Sequence, residues 1–167
     1  MTIQNVTSSA WFGSLEPDQQ RQILLSLELL EREKKLSSSF PDYSFVLFPM
    51  SKAYEGFLKK FLFSMGLITD EVYRGRHFRI GRALNPDIPL NQRDQWWLYD
   101  NVEKSCGPKL SRKLWQAWIE CRNHVFHYFP GDLNELSLQK IEQKLQMLIE
   151  LFESAWQCEI KNKSNKD

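Results

Sequence analysis

Cysteine is scarce in this chain and poorly arranged for cross-linking. Cys106, Cys121 and Cys158 are odd in number, widely spaced and without a Cys-x-x-Cys pair, which argues against a disulfide scaffold or a zinc site and for a reducing compartment. Charge of one sign is also lacking. Lys plus Arg (22) and Asp plus Glu (21) nearly cancel, so net charge neither demands nor excludes nucleic acid, and any electrostatic footprint must be local. No apolar run reaches the length of a membrane span, and Met1 to Asn5 lacks the basic start and apolar stretch of a signal peptide. A soluble, cytoplasmic protein with no membrane contact is expected. There is no Gly-rich phosphate loop, no HExxH, no Gly-x-Ser-x-Gly elbow and no internal repeat, which removes the common nucleotide-binding, zinc-protease and hydrolase signatures.

What is present is apolar mass at helical spacing. With 167 residues, 42% of them hydrophobic, the chain can build one domain around one core. A first helix is predicted from Ser14 to Asp18 onward, where Ser, Glu, Pro and Asp supply capping oxygens, early negative charge and a tolerated proline. Leu15, Ile23, Leu24, Leu27 and Leu30 carry it to the Ser37-Ser38-Ser39 break. Tyr43 to Leu67 reads as a central helix that Pro49 should kink or begin, with Met50, Ala53, Phe57, Phe61 and Met65 as its stripe. Ser44 to Phe48 is the best strand candidate but runs into a helical pattern.

From Ile68 to about Pro89 there is no clean period, and glycines and prolines predict loop with a short helix at most. Gln92 to Glu103 is predicted as a short helix ending at Gly107-Pro108. Leu110, Leu114, Trp118, Cys121 and Val125 then trace one helical face up to Phe129-Pro130-Gly131. A last helix, from about Leu133 to Trp156, places Leu138, Ile141, Leu145, Leu148 and Phe152 near a bundle seam. The expected fold is all-α, an up-and-down bundle of four to five helices. Trp96, Trp97, Trp115, Trp118 and Trp156 are expected as core or dimer contacts.

The chemistry concentrates in Arg122-Asn123-His124-Val125-Phe126-His127. A permanent cation can hold phosphate oxygens, and an imidazole moves a proton near neutral pH; together they suggest phosphodiester chemistry. On an ideal helix Arg122 lies roughly 40° from the Trp118 core direction and His127 points away, unless the last turn before Pro130 departs from ideal geometry. The helix C-terminus would favour a protonated His127. Arg74, Arg76, Arg79 and Arg82, interleaved with Tyr73, His77 and Phe78, form the densest cationic cluster, a pattern that single-stranded RNA grooves use. Each feature has a plainer alternative. Arg122 and His127 could be a helix-end pair and cap. Glu55 with Lys59 could be a surface i, i+4 pair, and the arginines a solvated loop.

The order arginine, polar residue, three residues, histidine at the end of the penultimate long helix of a small α-bundle resembles the signature of the HEPN superfamily of metal-independent ribonucleases. Phe48-Pro49-Met50-Ser51-Lys52-Ala53-Tyr54-Glu55-Gly56-Phe57-Leu58-Lys59-Lys60 is similar to the segment of RNase LS-type toxins (the RnlA/LsoA group) that contributes an acidic active-site residue. The resemblance covers roughly residues 42 to 157. It implies a HEPN-like domain over 40–160, with 1–39 as an N-terminal helical segment of the same bundle and 161–167 a disordered tail. It further implies catalysis by Arg122 and His127, with Glu55 as acidic partner, Asn123 orienting the site and Lys52 as a neighbouring basic residue. The implied site is composite across a homodimer, needs no metal or cofactor, and cuts RNA, as in toxins held by a protein antitoxin. In HEPN toxins silenced by AMP transfer, a tyrosine commonly stands two places after the histidine. Phe129 stands there, so an antitoxin that occludes the site is the expected partner. The alternative is a HEPN-like module that binds RNA or protein without cutting.

Overall fold

A computed structural model describes residues 2–36, 39–131 and 135–164. Among them there is no strand, and the architecture is all-α. Two short helices, α1 (Ile3–Thr7) and α2 (Ala10–Gly13), precede the long α3 (Pro17–Leu36), α4 (Ser44–Ser64), α8 (Pro108–Trp118) and α10 (Leu138–Ser164). Between α4 and α8 lie α5 (Asp70–Arg74), α6 (Ile80–Ala83) and α7 (Tyr99–Cys106). Among the described residues no helix is long and apolar enough to cross a membrane.

Cross-links fix the directions of the long helices. Lys60 near the end of α4 bonds the Ser14 carbonyl and Glu16 before α3, while Ser26 meets Val46, so α3 and α4 run antiparallel. Tyr54 donates to the Leu114 carbonyl and Ser51 to that of Cys121, which sets α8 antiparallel to α4. Lys144 reaches the Glu120 carbonyl, and Cys158 pairs with Cys106, so α10 runs back along α8. The four long helices thus alternate up and down. Their shared seam holds Ile23, Leu47, Leu58, Leu114, Ile141, Leu145, Leu148 and Phe152, all fully buried. Phe152 is boxed by Trp11, Tyr54 and Phe57, with ring centroids 5.4, 6.0 and 4.7 Å away, which ties α2 into the same core.

Local physics explains the helix ends. Pro17 takes the first position of α3, where its missing N–H costs nothing, and the Glu16 N–H donates to the Gln19 carbonyl oxygen Oε1 three residues on. Pro49 lies inside α4 rather than at its start. The ladder is disturbed there, and buried Ser26 of α3 repairs it: its hydroxyl accepts from the Met50 N–H at 2.9 Å and donates to the Val46 carbonyl at 2.7 Å. This insertion lets one helix run through a proline that would otherwise break it.

Ser44–Phe48 belongs to the central helix expected from Tyr43, with Val46 and Leu47 buried and Phe45 and Phe48 exposed. Other expectations need correction. The helix expected from Gln92 begins only at Tyr99; residues 93–98 are instead held by Asp94, which accepts from the Trp96 N–H. The last helix begins at Leu138, with the Ser137 hydroxyl accepting from the Lys140 N–H, and continues through Ser164. Leu133, its expected start, lies outside the described residues, as do Ser37, Ser38 and residues 165–167. Cys106 and Cys158 form a disulfide across a Cα separation of 5.7 Å, contrary to the reading from their number and spacing. The end of α7 comes to rest against α10, a proximity that sequence separation conceals.

Candidate functional site

The site is created by a fault in a helix. After α8 the chain widens into a single π turn, Ile119–Asn123, in which the His124 N–H reaches back to the Ile119 carbonyl; a short α9 (His124–Phe126) follows. Two side chains from elsewhere hold carbonyls of that turn. Ser51 of α4, 2% exposed, donates to the Cys121 carbonyl at 2.6 Å, and Lys144 of α10 donates to that of Glu120 at 2.9 Å. A wide turn absorbs one extra residue. Beyond it the ordinary pattern returns, the His127 N–H bonding the Asn123 carbonyl at 3.3 Å. His127 itself leaves the helix, with extended backbone at φ −108°, ψ 138°.

The result is a compact group. Arg122 Nη1 lies 3.0 Å from His127 Nε2, and Arg122 Nε lies 3.5 Å from Glu55 Oε2. Its guanidinium carbon stands 5.1 Å from the ring centroid of Trp118, one helical turn earlier. A guanidinium only donates, so Nε2 of His127 is the acceptor here and carries no proton in this arrangement. Arg122, with its side chain 30% exposed, is anchored on three sides yet open to solvent, as is Glu55 at 46%. Among the described residues no three His, Cys, Asp or Glu side chains come together to hold a metal ion.

Lys52, one turn before Glu55, is exposed, its ammonium 5.9 Å from the Phe48 ring centroid, and Phe48 meets Phe126 edge to face at 5.3 Å. Asn123 is half-buried within the wide turn, its carbonyl accepting from the His127 N–H at 3.3 Å. Phe40, Phe45, Phe48, Tyr128 and Phe129 leave substantial aromatic surface exposed. His124 lies edge to face with Phe129.

The arginine cluster divides. Arg74 is paired with Asp70 at 2.8 Å, an i, i+4 pair on α5, and Arg82 is held by Asp94 at 3.1 Å and the Gln92 carbonyl at 2.7 Å. Arg76 and Arg79 are exposed. The loop borders a cavity of about 630 Å³ whose walls include Val72, Gly75, Phe78, Arg79 and Trp96. Sequence reasoning missed Ser51 and Lys144, which act from distant helices and which nothing marked. Trp96, expected as core or dimer contact, is 39% exposed and lies outside the core.

Comparisons with protein-family models, with characterised proteins and with solved structures find no match to this chain.

Proposed function

We propose that the chain is a metal-independent endoribonuclease of the HEPN type, acting at Arg122, His127 and Glu55. The observation that carries this reading is the meeting of Arg122 with His127 at 3.0 Å beside Glu55, on an accessible face. A guanidinium fixed over an indole and against a carboxylate is pre-organised for the non-bridging oxygens of a phosphodiester. In the reaction, His127 Nε2 accepts the proton of the ribose 2′-hydroxyl, and the 2′-oxygen attacks phosphorus. Arg122 turns its N–H groups to the phosphorane oxygens. The bond to the 5′-oxygen breaks as that oxygen takes a proton, leaving a 2′,3′-cyclic phosphate and a 5′-hydroxyl. Glu55 holds the guanidinium in register.

The leaving oxygen needs a proton donor distinct from the base, and each chain offers one motif histidine. A two-fold homodimer that joins two such sites supplies the second, and the exposed aromatics flanking the turn suit a protein contact. The same surface favours a second reading, a module that binds RNA or a protein partner without cutting. A ribonuclease of this kind would serve as a toxin or phage-defence effector restrained by a protein antitoxin.

The test is cleavage of single-stranded RNA in EDTA. Arg122→Ala and His127→Ala should each abolish it, with 2′,3′-cyclic phosphate ends among the wild-type products; RNA left intact by purified, inhibitor-free protein rejects the proposal. Mixing the two inactive variants probes the dimer. Recovered activity means that each site draws on both chains, and none means that it lies within one.

A further inference from the structure

The cavity beside α5 and α6 combines features that the ribonuclease reading does not use. Its aromatic walls, Phe78 and Trp96, meet at 72° with centroids 6.3 Å apart, and Trp96 presents indole surface to the opening. Asp94 builds this wall. One carboxylate oxygen accepts from the Trp96 N–H at 3.0 Å while the other takes the Arg82 guanidinium at 3.1 Å. The volume, about 630 Å³, lies in the range of small-ligand sites. The lining carries both a cation and acceptors: Arg79 is exposed, and Thr69 and Glu71 bring oxygen atoms. Such a lining fits a flat π system with hydrogen-bond donors and an anionic group attached, and it fits a purely apolar ligand poorly.

The cavity is also braced to the candidate site at two points. Gly81, just before Arg82, lies so close to Trp118 that a Cβ there would come within 2.6 Å of the indole Nε1, and that same indole underlies Arg122. Lys59, one turn after Glu55 on α4, donates to the carbonyl of Gly75, a lining residue, at 2.5 Å.

We propose that this cavity receives one unpaired nucleotide, its base against Trp96 and Phe78 and its phosphate at Arg79. Arg82, already engaged by Asp94, acts as a positioning residue for the Trp96 wall. As an account of how a strand reaches Arg122, the proposal rests on the ribonuclease reading. As a binding site it stands alone.

The experiment titrates the full chain with a short single-stranded 2′-O-methyl oligoribonucleotide, which keeps the ribose but has no free 2′-hydroxyl to attack. Trp96→Ala should weaken binding roughly ten-fold, as expected for loss of one base stack, while Trp96→Phe retains most of the affinity. Arg79→Ala should weaken binding and flatten its salt dependence. Unchanged affinity in both Trp96→Ala and Phe78→Ala overturns the proposal, as does failure of the wild type to bind. A parallel titration with AMP identifies the source of the ligand. Binding that Trp96→Ala removes extends the site to free nucleotides, and binding of the oligonucleotide alone restricts it to a strand. RNA cleavage separates the two ideas: an oligonucleotide held through Trp96 by a protein that cuts nothing defeats only the ribonuclease reading. RNA cut with an unchanged KM by both Trp96→Ala and Phe78→Ala, at unchanged affinity, defeats only the cavity.

Discussion

Arg122 is worth more to this protein as a shaped group than as a charge. Its pair with Glu55 is partly exposed and long at 3.5 Å, so its contribution to stability is small. What the neighbours provide is orientation: indole below, carboxylate at Nε, imidazole at Nη1. Lysine keeps the charge but has neither the planar fork nor the reach to serve all three. Arg122→Lys should therefore lower kcat/KM for RNA by about a hundred-fold or more while the denaturation midpoint hardly moves, which kinetics and a urea titration would check together. A different residue-scale prediction concerns alkali. Burial pushes the Cys121 thiol up to about 12, with Lys144 opposing weakly, and burial with Cys121 nearby raises the Tyr54 phenol. The unfolded chain ionises these groups near about 8.5 and 10. Their stabilising effect is thus complete below about pH 8 and is lost as pH rises toward the folded values, because the unfolded state releases protons that the folded state retains. Urea midpoints should fall between about pH 8.5 and 10, and less steeply in Cys121→Ala.

At the scale of elements, two serines decide the shape of two helices. Ser51 holds the wide turn from outside, and its replacement by alanine leaves the Cys121 carbonyl without that donor. The turn should then relax toward ordinary α geometry and swing His127 away from Arg122. Ser51→Ala should lower kcat more than KM and alter the pH profile of cleavage, readouts that a simple loss of stability would not move. Ser26→Ala removes the bridge across the Pro49 fault and should cost about 1–3 kcal/mol in urea unfolding, with cleavage per folded molecule unchanged. These serines also mark what the sequence could not say. The stripes of α8 and α10 are legible because burial repeats at helical period, and Leu110, Leu114, Trp118 and Cys121 are all buried. Glu55 and Arg122, singled out in two separate segments, lie 3.5 Å apart. The approach of His127 was not legible. It depends on carbonyls captured by residues 70 and 24 positions away in the chain, and local periodicity carries no trace of such partners. Trp96, expected in the core or at a dimer contact, is not in the core: an Asp-anchored loop, not a helical stripe, displays it.

At the scale of the molecule, the bundle is closed by core packing and by one covalent tie. Cys106 ends α7, where Gly107, at φ 84°, makes the sharp joint into Pro108 and α8, and Cys158 lies on the last turns of α10. The bond spans 52 residues of chain and encloses α8, the wide turn, α9 and most of α10, hence the whole Arg122 region. A loop of that length lowers the entropy of the unfolded chain by an amount worth about 4 kcal/mol in the chain-entropy treatment. The folded core does not need the bond to define its shape, since Leu114, Ile141, Leu145 and Phe152 pack inside the loop independently of it. Reduction should therefore leave the helical content intact while lowering the melting temperature and accelerating proteolysis between α8 and α10. Paired Cys106→Ser and Cys158→Ser substitutions should reproduce the melting temperature of the reduced protein, and dithiothreitol should have no further effect on them. Equal melting temperatures for the oxidised wild type and the double variant would show that the tie carries none of the stability assigned to it.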